Sequence, residues 1–106
     1  MAVLRMTTVR PNPEDRATIA KIFDQMNEFF ARQKGFIMAV RFMSVDGAEM
    51  GRIGIWESEE AADAIAQMQH TMALRSQLLS IIGGEEREES LYEISATPTP
   101  LPQPRK

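Results

Sequence analysis

A chain of 106 residues is long enough for one domain and short for two. Twelve basic against fifteen acidic residues give a net charge of −3, which argues against an overall basic nucleic-acid-binding surface. The absence of cysteine removes disulfides, thiolate metal sites and cysteine nucleophiles. No window approaches the ~18 uninterrupted apolar residues of a membrane span. Met1 to Arg10 carries Arg5, Thr7, Thr8 and Arg10, which does not read as a secretory leader. The expectation is a cytoplasmic protein with neither nucleic acid nor membrane as partner.

Ala2 to Val9 is rich in β-branched and apolar residues and reads as a strand. Arg10-Pro11-Asn12-Pro13 ends it, because proline cannot donate to a ladder. A helix over 13–34 follows, with Asn12 as N-cap and Glu14 and Asp15 at the positive end of its dipole. Its apolar residues Ile19, Phe23, Met26 and Phe30 recur at three- and four-residue spacing, and Lys34-Gly35 stops it. Phe36 to Met43 is an apolar strand interrupted by Arg41. Val45-Asp46-Gly47-Ala48 is a hairpin turn, and Glu49 to Trp56 is the returning strand.

Ser58 caps a second helical stretch whose stripe runs from Ala61 through Ile65, Met68, Met72 and Leu79 to Ile82, up to Gly83-Gly84. One straight helix of that length would span ~36 Å, too long for a globule of this size, so a break is expected between about Gln69 and Ser76. A polar connection at 85–89 leads to a last strand at 90–95. The domain is therefore 1–95, and the proline-rich tail, 96–106, is expected to be extended and frayed.

This βαββαβ order is the ferredoxin-like α+β arrangement: a four-stranded antiparallel sheet with both helical stretches on one face. A tight turn at Asp46-Gly47 sets Met50 opposite Met43, Arg52 opposite Arg41, Ile53 opposite Val40 and Ile55 opposite Met38. One hairpin face holds Phe36, Met38, Val40, Phe42, Ile53 and Ile55; being nearly all apolar, it is expected beneath the helices. The other holds Ile37, Ala39, Arg41, Met43, Met50, Arg52, Gly54 and Trp56. It is expected to be open, with Glu93 or a partner's carboxylate offsetting the adjacent Arg41 and Arg52, a bound anion between them being the alternative. So apolar an open face predicts a homodimer closing sheet against sheet into an α/β barrel.

Gly54-Ile55-Trp56-Glu57-Ser58-Glu59-Glu60-Ala61-Ala62-Asp63-Ala64 resembles the strand-to-helix segment of antibiotic biosynthesis monooxygenase (ABM) domains, and Lys34-Gly35-Phe36 fits the same pattern. The element order follows that family over about 1–95. The resemblance implies a dimeric α+β barrel in a superfamily of oxygenases, heme degraders, isomerases and proteins without assigned roles. Its heme-degrading branch uses an asparagine on the first strand and a tryptophan and a histidine on the second helix. The first strand here has no asparagine, Ile65 and Arg75 stand at the two helical positions, and His70 is out of register, so heme degradation is disfavoured. The cofactor-independent oxygenase branch works on polycyclic aromatic substrates with tryptophan, asparagine, tyrosine and arginine around an apolar cavity. Trp56, Tyr92, Arg75 and His70 are residues of suitable type.

These readings converge on a small hydrophobic or aromatic ligand held between sheet and helices, with no cofactor required. The protein is either a monooxygenase or a non-catalytic binding or stress-related dimer. His70, the single histidine, is the candidate base, since its ordinary pKa lies near neutrality; an exposed helical histidine is the plain alternative. Tyr92 is the second catalytic candidate, or else a core tyrosine satisfied by backbone or water. Met6, Met26, Met38, Met68 and Met72, with Trp56 as a wall, are the candidate pocket; gap-filling in a small core is the alternative. No metal site is supported by the spacing of one histidine and scattered carboxylates.

Overall fold

The structure, a computed structural model, describes residues 1–82 and 87–95. Strand β1 (Val3–Val9) leads through a 3-10 turn (Pro13–Asp15) into helix α1 (Arg16–Phe30). The hairpin β2 (Phe36–Met43) and β3 (Met50–Trp56) follows, then helices α2 (Glu59–Ala66) and α3 (Gln69–Ile82), and strand β4 (Arg87–Glu93). The four strands form one antiparallel sheet in the order β2-β3-β1-β4, the ferredoxin-like topology. Residues 96–106, the glycine pair at 83–84 and the start of the expected polar connection lie outside the described residues.

Local chemistry accounts for most boundaries. The Ser58 hydroxyl accepts from the Ala61 N–H at 3.1 Å, the expected cap of α2. The Asn12 side chain makes no such bond; its carbonyl instead accepts from the Asp15 N–H at 3.0 Å, closing the 3-10 turn. Helix α1 ends at Phe30 rather than 34, and Gly35, at φ 86°, turns the chain into β2. The second helical stretch breaks at Gln67 and Met68, just ahead of the expected interval. Strand β4 begins at Arg87, three residues earlier than 90, because β1 offers ladder partners as far as Val9.

The hairpin register is as expected, with Met43 opposite Met50, Arg41 opposite Arg52 and Val40 opposite Ile53. The Ser44 N–H donates to the Glu49 carbonyl at 2.8 Å, which leaves a four-residue turn. Asp46 accepts from the Ala48 N–H and the Ser44 hydroxyl inside that turn, and these bonds hold its carboxyl below the usual range.

The facing of the sheet corrects the sequence reading. The helices cover the face of Val3, Thr7, Val9, Met50, Arg52 and Trp56, all buried. Trp56 packs its ring 5.9 Å from Phe30 of α1 and 5.6 Å from Phe36, which a β-bulge between Phe36 and Met38 brings to the same side. Met38 and Val40, expected beneath the helices, lie on the opposite face at 41% and 37% exposure. Tyr92, opposite Leu4 in the ladder, faces away from the helices as well. The arginine pair meets acceptors on α1 instead of Glu93: Arg41 pairs with Asp24 at 2.8 Å, and Arg52 donates to Asn27 at 2.7 Å.

Truncating Trp56 tests this facing. Trp56→Ala should cost ~3–5 kcal/mol, read from urea unfolding midpoints. A cost below ~1 kcal/mol would place the indole outside the core.

Candidate functional site

Between the sheet and the helices lies a cavity of about 30 Å³, room for a water or one small chemical group. Its apolar wall is Met26 and Phe30 of α1, Trp56 of β3, Ile65 of α2 and Leu78 of α3. Its polar lining is Arg5 and Thr7 of β1, Arg52 of β3, Thr71 and Arg75 of α3 and Glu89 of β4. Beside it an open groove of about 440 Å³ shares Arg5, Ala66, Arg75 and Glu89 with the cavity and extends to Ser90 and Leu91. Cavity and groove, together the recess, adjoin across these four shared residues.

Arg52 is the unusual group. It is 4% exposed. Its Nε–H donates to the Asn27 carboxamide at 2.7 Å, and its guanidinium carbon lies 4.8 Å from the centre of the Phe30 ring. Its Nη2 has no hydrogen-bond partner, and the Thr71 hydroxyl, also buried and also lining the cavity, has none. Burial pushes the Arg52 pKa down to about 10; the nearby Glu89 carboxylate opposes this shift and Arg5 adds to it. The group therefore remains a cation at neutral pH. Gly54 makes room for it, since a Cβ there would stand 2.8 Å from Arg52 Nη2 and 3.2 Å from Trp56 Nε1.

Arg5 closes one side of the recess. It donates to the Ala62 carbonyl at 2.9 Å and to Asp63 at 3.1 Å, and lies 3.7 Å from Glu89. A single guanidinium thus ties the middle of α2 to both β1 and β4.

Of the residues singled out from sequence, Met26, Trp56 and Arg75 line the cavity together. Met6 and Met38 belong to the opposite face of the sheet, while Met68 and Met72 are exposed on the helical stretch at 39% and 54%. His70 lies on the surface with its ring 4.5 Å from that of Phe29, edge to face. Tyr92 is half exposed and lines a separate open groove with Ser58 and Leu91. Neither His70 nor Tyr92 is among the residues of the cavity. Thr71 and Glu89 are functional candidates the sequence reading did not single out; Arg52 it weighed only as half of the Arg41–Arg52 pair. Arg52 alone left a signal: an arginine on an apolar strand beside a second arginine. Among the described residues no group of three or more histidines and carboxylates is placed to hold a metal ion, and no helix is long and apolar enough to cross a membrane.

No family model and no curated protein sequence matches the chain. Solved structures do. Rv0793 from Mycobacterium tuberculosis superposes with a TM-score of 0.83 at 17% identity, covering 93% of this chain and 100% of its own. SnoaB, a cofactor-independent oxygenase from Streptomyces nogalater, superposes with a TM-score of 0.80 at 18% identity, covering 91% and 95%. A third structure, an antibiotic biosynthesis monooxygenase, gives a TM-score of 0.75 at 13% identity over 91% and 99%. The chain thus has the ABM fold over nearly its whole described length.

Two substitutions test the placement of Arg52. Asn27→Ala removes the acceptor of a buried charged donor and should cost ~1.5–3 kcal/mol in chemical denaturation. Gly54→Ala crowds Nη2 and should cost ~1–3 kcal/mol. If both variants unfold at the wild-type midpoint, the guanidinium is not held where described.

Proposed function

We propose that this protein, ABM-like in fold, is a cofactor-independent monooxygenase acting on a small hydrophobic or aromatic molecule that carries an acidic C–H or O–H. The observation that carries the proposal is the recess between sheet and helices, where an apolar wall built around Trp56 meets Arg52, Thr71 and Glu89. Its fold likeness to a cofactor-independent oxygenase, SnoaB, supports the same reading.

The chemistry asks three things of the protein. A base removes a proton, the resulting anion is stabilised, and water is kept from the carbon that meets dioxygen. Overall, a methylene and one dioxygen give a carbonyl and one water. Glu89 is the carboxylate beside the cavity and is the base that the geometry favours. His70, the base favoured by sequence, would need an approach from outside the recess. At about 30 Å³ the cavity admits the reacting edge of a substrate, against the ~300 Å³ or more of a pocket that swallows a whole ligand. The body of the molecule would lie in the adjoining groove.

The exposed face of the sheet is proposed as a homodimer interface. Met38, Val40 and Tyr92 are exposed there, and Leu4, Met6, Ile53 and Ile55 lie between them.

Oxygen uptake with quinol-type compounds tests the first proposal. The wild type should consume dioxygen above the spontaneous rate; Glu89→Gln should lower the enzymatic rate ~100-fold or more, and His70→Ala should leave it near wild type. Binding without oxygen consumption would instead identify a ligand-binding protein. Sedimentation at micromolar concentration tests the second: a dimer is expected, and a monomer throughout would contradict it.

A further inference from the structure

The recess holds two buried polar groups that nothing among the described residues satisfies. Arg52 Nη2 and Thr71 Oγ1 both line the cavity without a hydrogen-bond partner, although Arg52 is only 4% exposed and Thr71 only 3%. An unpaired buried donor costs ~1–3 kcal/mol, and more when charged, so a fold retains one where something else completes it. Both groups can donate, and the guanidinium only donates. The missing partner is therefore an acceptor.

Charge narrows its nature. Among the described residues, three guanidiniums, those of Arg5, Arg52 and Arg75, line the cavity with one carboxylate, that of Glu89. Arg5 is already engaged with Asp63, Glu89 and the Ala62 carbonyl. Arg52 has a neutral amide and an aromatic face as its direct contacts, and the attraction of the nearby Glu89 carboxylate offsets only part of the cost of burying its charge. Size narrows it further, since about 30 Å³ takes one small group and no ring. The adjoining groove shares Arg5, Ala66, Arg75 and Glu89 with the cavity, and Ala66 and Leu91 are the apolar surfaces it offers to the rest of a ligand.

We propose that Arg52 and Thr71 form an anion-binding subsite for the ionised oxygen of an apolar ligand, either a carboxylate or a phenolate, whose remaining body lies in the groove between α3 and β4. Arg52 Nη2 and the Thr71 hydroxyl each donate to that anionic group, and Asn27 and Phe30 hold the guanidinium in place before the ligand arrives. The subsite deepens the oxygenase reading, and rests on it only in assigning the bound oxyanion to a substrate.

4-Nitrophenol and benzoate separate the two ligand sources, and neither needs to react with dioxygen. If the subsite exists, bound 4-nitrophenol titrates with its midpoint lowered by about one pH unit, a tenfold preference for phenolate over phenol, read from its absorbance. Benzoate either displaces the probe, which makes the site general for oxyanions, or does not, which restricts it to phenolates. If benzoate binds calorimetrically and the phenol does not, the ligand is a carboxylate. All three results support the subsite. Thr71→Val, which keeps the Arg52–Asn27 bond, should weaken the binding of whichever anion binds about tenfold, and Arg52→Met should abolish it. Three results would overturn the proposal: no binding of either probe at millimolar concentration, a phenol midpoint equal to that in buffer with no benzoate binding, or affinities unchanged in Thr71→Val. Each would reduce the cavity to a pocket for water. Anion binding with no oxygen uptake on any quinol would leave the subsite standing and remove the oxygenase reading alone.

Discussion

The arrangement turns on one buried cation. Arg52 stands on the central strand β3 under helix α1, where taking a charge out of water is costly. Three features offset that cost, the Asn27 acceptor, the face of the Phe30 ring and the nearby Glu89 carboxylate, while Gly54 leaves the group room. The compensation is partial, which is why the pKa of the group falls to about 10 and why one of its nitrogens is left without a partner. The same contacts decide which face of the sheet the helices cover. With Arg52 bonded to α1, Trp56 and Met50 must share that side, and Met38 and Val40 must take the other.

The element order and the hairpin pairing were legible because both depend on local signals. The turn residues around Asp46-Gly47 give a register with Met43 opposite Met50, and the Ser58 cap gives the start of α2. The facing of the sheet was not legible. Both hairpin faces carry large apolar residues, so alternation separates them without ranking them, and two arginines point the wrong way in a reading that treats charge as exposure. What inverts that reading is nonlocal: Asp24 and Asn27 lie 17 and 25 residues from the arginines they hold. Arg41 remains at the rim and Arg52 goes inside, so the same residue type on paired positions has two environments. The bulge after Phe36 adds a local exception by keeping that ring beside Trp56.

The candidate site inherits the same difficulty. Trp56 and Met26 were found because large apolar residues near a strand–helix junction line cores whatever their role. Met6 and Met38 were misplaced together, because the parity of every strand follows from the one facing decision. Thr71 left no signal at all: a threonine in a helix reads as neutral until its burial and lack of a partner are seen. The recess that results is narrow at its polar end and open toward β4, so a ligand would be gripped by one functional group and merely covered elsewhere. That geometry suits selection by head-group chemistry more than by ring shape.

The most direct measurement is nuclear magnetic resonance of the arginine side chains in the free protein. The account predicts an Arg52 Nε–H signal that exchanges slowly with water at neutral pH and shows cross-peaks to the Asn27 side chain and the Phe30 ring. A rapidly exchanging Nε–H, with cross-peaks to neither, would contradict the placement of this cation in the core and with it the facing of the sheet.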